Sequence, residues 1–286
     1  MRVDIGGGLR LFVDIDGVSL APFAGKLVER PTLLLLHGGP GMDHATFKLG
    51  MTDLRDIAQV VMYDHRGNGR SDHGDPTDWT LDTWADDVVR LCDVLGISNP
   101  IVFGNSFGGF VAQRYLGRHP DHPSKVVLSS TAARWNLDAV IAQFRVLGGD
   151  RAAELAQMFW TDPRPEHQIE YLRECGPLYT QSSGNLFESI AMRRNPALLQ
   201  QWIEIEHETF DTRADLAQAT CPVLVLAGAH DPVCPLAGAE EIVDHLPPAL
   251  VRYERFDRSG HGVFRDEPER AMRVLREFIA SPSPTP

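Results

Sequence analysis

The feature that most constrains this chain is a Gly-Asn-Ser-Phe-Gly pentapeptide at residues 104–108, directly after an apolar β-type run. A helical pattern starts as soon as the pentapeptide ends. Strand, sharp turn and helix are the context in which a Gly-x-Ser-x-Gly motif lifts its serine to the end of a sheet as a nucleophile. The motif alone also fits an ordinary strand-to-helix turn with an idle serine. The rest of the chain has to decide between the two.

Buried strands alternate with helices on both sides of this motif. Helical spacing of apolar residues predicts a helix from Leu81 to Leu95, stopped by Gly96, and a second helix from the motif to about His119. Apolar runs predict strands at residues 32–36, 59–63, 101–105, 125–130, 222–228 and 250–256. Alternation of this kind is typical of an α/β fold. We expect a mostly parallel sheet with helices on both faces, preceded by an antiparallel strand at residues 9–15 and closed by a helix at residues 267–279.

The alternation breaks between residues 132 and 220, where the pattern is helical and interrupted by prolines. This stretch predicts an inserted helical cap. The expected division is a first part of the core at 1–131, the cap at 132–220, a second part of the core at 221–280 and a disordered proline-rich tail at 281–286.

Composition limits the function classes. The chain of 286 residues has 27 basic and 39 acidic residues, a net charge of −12, which argues against nucleic acid or an acidic membrane surface as partner. It has no run of about 18 apolar residues and no apolar stretch near Met1 typical of a secretory signal. The four cysteines lack metal or redox spacing, so we expect reduced thiols in a cytoplasmic protein and no bound metal. We also expect a small-molecule substrate and no cofactor.

Three polar residues follow predicted strands in the order Ser106, Asp231, His261. Because ligands bind at the carboxyl ends of parallel strands, we expect these side chains to meet there as a catalytic triad. His261 would take the Ser106 proton, and Asp231 would orient the imidazole and stabilise its cation. Asp257 is a rival acid and His37 a rival base, although His37 fits a role in bracing its own loop better.

A glycine-rich loop follows the strand at residues 32–36 and supplies the candidate oxyanion hole. The amides of Gly39, in this loop, and of Phe107, after the nucleophile, are expected to face the developing negative charge.

With these residues in place, the chain resembles the α/β-hydrolases of the proline iminopeptidase-like group over nearly its whole length. The His-Gly-Gly-Pro-Gly run at residues 37–41 is similar to the oxyanion loop of that group, and residues 64–71 are similar to its second signature. The resemblance implies a Ser-His-Asp hydrolase that works without a cofactor. Enzymes of similar build include esterases, lactonases and carbon–carbon bond hydrolases.

The sequence indicates the substrate less clearly than it indicates the fold. Proline iminopeptidases usually carry Trp after the nucleophile, where this chain has Phe107, and one relative has Glu after the triad Asp, where this chain has Pro232. An aminopeptidase needs a carboxylate for the substrate ammonium. The candidate substrate-binding residues are Glu204, Glu208 and Trp202 in the predicted cap, with Glu204 and Glu208 on one helix face if that segment is helical.

We therefore expect cleavage of a small ester or lactone through an acyl-enzyme. Two alternatives stay open at this point. One is a proline iminopeptidase-type aminopeptidase. The other is a receptor-like protein of the same fold that binds a small molecule and retains only vestigial turnover.

Overall fold

The computed structural model describes residues 1–48, 50–182 and 191–282. Its main feature is an eight-stranded sheet in the order β1-β2-β6-β5-β7-β8-β9-β10. In chain order the strands are β1 (Arg2–Asp4), β2 (Arg10–Asp16), β3 (Leu20–Phe23), β4 (Lys26–Glu29), β5 (Thr32–Leu36), β6 (Gln59–Tyr63), β7 (Ile101–Asn105), β8 (Lys125–Ser129), β9 (Val223–Gly228) and β10 (Val251–Phe256). Strand β2 pairs antiparallel with β1 on one side and with β6 on the other, and the remaining neighbours in this sheet pair parallel. Strands β3 and β4 form a separate hairpin. The predicted α/β architecture is confirmed.

The helices run between and after these strands. Those in the described residues are α1 (Leu81–Leu95), α2 (Phe107–Arg118), α3 (Leu137–Thr161), α4 (Pro165–Glu174), α5 (Pro196–Ile205), α6 (Arg213–Leu216), α7 (Leu236–His245), α8 (Val263–Asp266) and α9 (Pro268–Ala280). Helix α1 ends where expected, because Gly96 adopts the left-handed conformation (φ 66°) that few other residues tolerate. Within the same described residues, no helix is both long and apolar enough to cross a membrane.

The two faces of the sheet carry separate hydrophobic clusters. On β5, Leu34 and Leu36 belong to the cluster that contains Trp84 of α1, whereas Leu33 and Leu35 belong to the cluster that contains Phe278 of α9. Successive side chains of a strand point to opposite faces, so an uninterrupted apolar run fits a strand covered on both sides. The helices on both faces therefore explain why the strands read as continuous apolar runs.

The parallel strands bring their carboxyl ends to one edge of the sheet, which we call the polar edge. The loops after β5, β6, β7, β9 and β10 all open there. These loops contain the residues that the sequence singled out, so the topology alone brings the predicted triad and the two glycine-rich loops to the same side of the molecule.

Residues 132–220, called here the helical segment, lie between β8 and β9. Their described part contains helices α3 to α6, a short 3₁₀ turn (Gly176–Tyr179) and one isolated bridge between Arg134 and Asp211. That bridge pairs residues close to the two ends of the segment. Helix α3 is kinked at Gly149, which has a φ of 75°. The helical pattern is as predicted, while its role as a cap is taken up below.

Some elements were not predicted. The β3–β4 hairpin and helix α7 have no strong apolar period to reveal them. Lys125 of β8 binds the C-terminal, negative end of α9. Its ammonium group donates to the carbonyls of Phe278 (2.7 Å), Ile279 (3.0 Å) and Ser281 (2.5 Å). Ser281 was expected to begin a disordered tail, of which residues 283–286 lie outside the described residues.

Candidate active site

Ser106 occupies the sharp turn between β7 and α2. Its backbone has φ 54° and ψ −119°, a conformation that is unfavourable for a non-glycine residue and is kept only where the surroundings hold it. The Ser106 amide donates to the Ser129 carbonyl (2.9 Å), and its own carbonyl accepts from the Gly109 amide (2.8 Å) and the Thr131 hydroxyl (2.9 Å). The strained turn is therefore held by hydrogen bonds on both sides.

The two motif glycines are required by close backbone approach. A Cβ at residue 104 would overlap the Gly108 carbonyl, and a Cβ at residue 108 would overlap the Leu36 carbonyl of the neighbouring strand. Their φ values are not what demands glycine, because neither is positive. The reason is that the helix returns directly against the strand it has just left.

Ser106, His261 and Asp231 form a continuous hydrogen-bonded chain. The Ser106 hydroxyl lies 2.9 Å from His261 Nε2, and His261 Nδ1 lies 2.9 and 2.8 Å from the two carboxylate oxygens of Asp231. All three residues are buried. With a carboxylate facing Nδ1, that nitrogen carries the proton, and Nε2 is left to accept one from the serine. This arrangement suits nucleophilic attack assisted by a general base.

Asp231 is held by its own loop. Its Oδ1 accepts hydrogen bonds from the amides of Val233 (2.9 Å) and Cys234 (2.8 Å). These two hydrogen bonds fix the orientation of the carboxylate, whose side chain is fully buried. The rival acid Asp257 lies elsewhere: its side chain is 73% exposed and pairs with Arg255 at 2.7 Å.

His261 is oriented through its backbone as well as its ring. Its amide donates to the Tyr179 carbonyl (2.7 Å), and its carbonyl accepts from Arg265 Nη2 (3.2 Å). The Tyr179 and His261 rings meet edge to face with centroids 5.3 Å apart. Tyr179 belongs to the helical segment, so that segment contributes directly to placing the histidine. Sequence reasoning did not identify this contact.

The amides of Gly39 and Phe107 are free of acceptors among the described residues. Gly39 lines the cavity that also contains Ser106 and His261, and Phe107 is the first residue of α2, so its amide lies at the positive end of the helix. An uncommitted amide next to the nucleophile is what a developing oxyanion needs.

Two histidines hold the loop that contains Gly39 by hydrogen bonds. His37 Nδ1 donates to the Gly38 carbonyl (2.7 Å), and His37 Nε2 accepts from the His65 amide (3.1 Å). Burial lowers the pKa of His37 and keeps the imidazole neutral, as this bonding pattern requires. Both ring nitrogens of His37 are thus engaged within the loop, which fits the bracing role and not that of the rival base.

The second glycine-rich loop, residues 64–71, supports the first. Asn68 Oδ1 accepts from the Gly41 amide (2.6 Å), and Asp64 Oδ1 accepts from the His44 amide (3.0 Å) and from His44 Nδ1 (2.6 Å). Burial opposes ionisation of Asp64, but the hydrogen bonds from His44 and the electrostatic influence of His37 and His44 together outweigh burial and lower the Asp64 pKa to about 2. Residues 64–71 therefore support the site by fixing the backbone of the first glycine-rich loop and of the residues that follow it.

A cavity opens above Ser106 between the polar edge and the helical segment. The segment supplies a mainly apolar wall made of Phe159, Trp160, Tyr171, Leu172, Tyr179 and Leu199. Among the described residues, the charged side chains that line the cavity are those of Asp43, Arg194 and Arg265. Asp43 is already paired: its Oδ2 lies 2.6 Å from Arg70 Nη1 and accepts the Arg193 amide at 3.0 Å.

The three predicted substrate-binding residues lie away from this cavity. Glu204 is exposed and accepts a hydrogen bond from Gln200 (2.9 Å), and Glu208 is exposed as well. The expectation that they share a helix face is wrong, because α5 ends at Ile205. Trp202 is buried against Phe107, with ring centroids 5.2 Å apart. None of the three lines the cavity.

One feature of the site had no clear signal in the sequence. Arg265 follows His261 by four residues, a spacing that indicates a shared helical face and nothing about a cavity. The described residues also contain no group of three or more His, Cys, Asp or Glu side chains arranged to hold a metal ion. The site thus consists of the hydrogen-bonded triad, two free amides and a cavity with an apolar wall and arginines.

Comparison with known proteins agrees with this geometry. Residues 31–268 match the family model described as alpha/beta hydrolase fold. A proline iminopeptidase of Levilactobacillus brevis is 32% identical over 270 residues, covering 87% of this chain and 88% of that protein. Two solved structures share the fold at 23% identity: the proline iminopeptidase of Mycobacterium smegmatis (TM-score 0.76, covering 98% and 97% of the two chains) and an esterase from Exiguobacterium antarcticum (TM-score 0.73, covering 98% and 99%).

Proposed function

The chain belongs to the alpha/beta hydrolase fold family, and from this premise we propose that it is a serine hydrolase that cleaves a small carboxylic ester or lactone through an acyl-enzyme. One observation carries the proposal: the unbroken hydrogen-bonded chain from Asp231 through His261 to the Ser106 hydroxyl. Family membership supports hydrolysis in general, and this chain of contacts supports serine as the nucleophile.

The first half-reaction follows from the positions of the protons. His261 Nε2 takes the hydroxyl proton of Ser106 as Oγ attacks the substrate carbonyl, and Asp231 stabilises the imidazolium that forms. The carbonyl oxygen becomes an oxyanion, which the amides of Gly39 and Phe107 stabilise by about 3 kcal/mol each. The tetrahedral intermediate then collapses. His261 gives the proton to the departing alcohol oxygen, which leaves an ester on Ser106.

The second half-reaction repeats these steps with water. Water gives its proton to His261 Nε2 and attacks the acyl-enzyme, the same two amides stabilise the second oxyanion, and Ser106 leaves with the proton. For a lactone, the alcohol stays attached to the acyl group and departs with the acid. No cofactor takes part in either half-reaction.

We further propose that the helical segment, residues 132–220, is the cap that decides which substrates fit. The support is its position over Ser106 and its apolar contribution to the cavity wall. An apolar acyl or alcohol group suits such a wall better than a charged peptide terminus does.

The alternative, an aminopeptidase, is favoured by the names of the relatives and disfavoured by the charges. A substrate ammonium needs a carboxylate partner in the cavity. In the part of the chain that the structure describes, Asp43 is the carboxylate that lines the cavity, and it is paired with Arg70. Glu204 and Glu208 are exposed outside the cavity. The ester or lactone is therefore the better-supported substrate.

The test compares proline 4-nitroanilide with short-chain 4-nitrophenyl esters and a panel of lactones, using Ser106→Ala protein as the blank. We expect Ser106-dependent turnover of esters or lactones and poor turnover of the prolyl amide. Because activated esters are easy substrates, the amide decides. A kcat/KM on proline 4-nitroanilide above about 10⁴ M⁻¹s⁻¹, the low end for enzymes on natural substrates, would favour the aminopeptidase instead.

A further inference from the structure

Arg265 places a poorly compensated cation in the wall of the cavity above Ser106. Its Nη2 donates to the His261 carbonyl at 3.2 Å, while its Nε is buried and finds no acceptor in the described part of the chain. A guanidinium has five N–H donors, so most of this fork is uncommitted. Burial lowers the Arg265 pKa to about 10, against the opposing influence of Asp266 and Asp231. A buried cation of this kind is stabilised by an anion.

The surroundings do not supply that anion. Within the described residues no carboxylate lies within ion-pair distance of Arg265. The neighbouring Asp266 instead accepts from the amides of Gly260 (2.7 Å) and Gln181 (3.1 Å) and from the hydroxyls of Thr180 and Ser182. Its acceptors are thus engaged by other donors.

The local backbone leaves room for the guanidinium. A Cβ at residue 262 would lie 2.8 Å from Arg265 Cζ, so glycine at this position allows the side chain to fold back towards His261. Arg194, an exposed residue, lines the same cavity. The one carboxylate found among the described lining residues, Asp43, is neutralised by Arg70.

We propose that the substrate carries a carboxylate on its acyl group or on its leaving group, and that Arg265 binds this carboxylate next to the scissile bond. The inference rests on the proposed function, because it names the substrate class of the same site. Arginine presents parallel donors that match the two oxygens of a carboxylate, whereas the aromatic wall accommodates the apolar part of the molecule.

The experiment uses two matched pairs of esters. In the acyl pair, the 4-nitrophenyl monoester of glutaric acid is compared with 4-nitrophenyl pentanoate. In the leaving-group pair, 4-butanoyloxybenzoate is compared with 4-butanoyloxybenzamide. The value of kcat/KM is measured for wild type, Arg265→Gln, Arg265→Lys and the control Arg258→Gln. Arg258 lies in the preceding loop, is strongly exposed and is paired with Glu267 at 3.6 Å, so the control removes a positive charge outside the cavity.

In at least one pair we expect wild type to prefer the carboxylate. Arg265→Gln should lower kcat/KM for that ester by about 10- to 100-fold, the range for a hydrogen bond to a charged group. The neutral ester should lose clearly less, because its loss reflects only the missing hydrogen bond to the His261 carbonyl. Arg265→Lys should restore part of the preference, because it keeps the charge without the fork. Arg258→Gln should leave both esters unchanged.

Two results would overturn the inference. An absence of preference in both pairs would show that no carboxylate is bound. An equal loss for charged and neutral esters in Arg265→Gln would show that Arg265 only holds the His261 carbonyl.

A binding measurement separates this inference from the proposed function. Glutarate and 4-hydroxybenzoate are titrated into Ser106→Ala and into the Ser106→Ala, Arg265→Gln double variant by calorimetry. Binding that depends on Arg265, without ester turnover by wild type, would retain the carboxylate site and reject the hydrolase mechanism. Ser106-dependent turnover with no carboxylate preference and no Arg265-dependent binding would do the reverse.

Discussion

The polar edge of the sheet and the helical segment above it are held together in different ways. At the polar edge the triad and the turn that carries its serine have defined hydrogen-bond partners: Asp231 accepts two amides and an imidazole, and the Ser106 backbone is bonded on both sides. In the helical segment the cavity wall is built on contacts between rings, such as Phe159 stacked on Tyr171 with centroids 4.1 Å apart. There the indole nitrogens of Trp135 and Trp160 are buried without a hydrogen-bond partner among the described residues.

The difference shows how the two regions divide the work that we propose for them. Hydrogen bonds with fixed directions place the reacting atoms to within tenths of an ångström, which catalysis needs. Ring contacts are less directional and can be rearranged with less loss, which suits a wall that selects substrates by shape. Substitutions at the polar edge should therefore lower kcat, and substitutions in the helical segment should act mainly on stability and on substrate choice.

The largest expected effect is at Ser106. Replacement by Ala removes the nucleophile and should lower kcat on a 4-nitrophenyl ester by about 10⁵- to 10⁶-fold. The fold should be retained, because the backbone hydrogen bonds of the turn do not use the hydroxyl. The measurement is steady-state turnover, with urea unfolding as the control for folding. A purified variant that keeps more than about a tenth of the wild-type rate would contradict the proposed mechanism.

The second effect tests whether directional contacts decide the rate. Asp231→Asn keeps the shape, but the two amides need the side-chain oxygen as acceptor, so the NH₂ group faces His261 Nδ1. An NH₂ donor at this place favours the wrong imidazole tautomer and should lower kcat by about 10⁴-fold. The matched control is Asp257→Asn, at an exposed carboxylate outside the triad, and its kcat should stay within about threefold of wild type. Rates of both variants on one ester are compared, and the reverse ranking would assign the acid to Asp257.

The smallest effect lies in the helical segment and concerns stability. Burial raises the Glu206 pKa to about 7, although the Leu81 amide opposes the shift, and Glu206 Oε2 is buried with no hydrogen-bond partner in the described part of the chain. An unfolded chain loses this proton near pH 4.5, so between that pH and 7 the folded state binds more protons and stability falls as pH rises. Because solvent screens this partly exposed group, Glu206→Gln should stabilise the fold at pH 8 by only about 1 kcal/mol.

Urea unfolding at pH 4.5 and pH 8 measures this difference, which should nearly vanish at the lower pH. The control is Glu204→Gln, since Glu204 is exposed on the same segment and should show no pH-dependent gain. A loss of stability in Glu206→Gln at pH 8 would mean that the carboxylate is needed where it lies. The helical segment would then depend on directional polar contacts, as the polar edge does.

The same contrast explains what the sequence could predict. The strands, the turn at Ser106 and the order of Ser106, Asp231 and His261 follow from apolar runs and glycine motifs, which act within a few residues of chain. The cavity wall depends on how distant segments pack, so acidic residues such as Glu204 and Glu208 could be named as candidates without any local signal of whether they face inwards. Arg265 was missed for the same reason.

The hydrogen bond from the His261 amide to the Tyr179 carbonyl bears on the construction of chimeric enzymes. A graft that exchanges residues 132–220 as one block would also exchange the acceptor that orients the histidine backbone. Gly260 packs closely against the Tyr179 carbonyl, since a Cβ at residue 260 would lie 2.6 Å from that oxygen. A recombination point before Gly176 keeps acceptor, glycine and histidine from one parent. The exchangeable unit is then α3 with α4, which carries Phe159, Trp160 and Tyr171 and therefore much of the apolar wall.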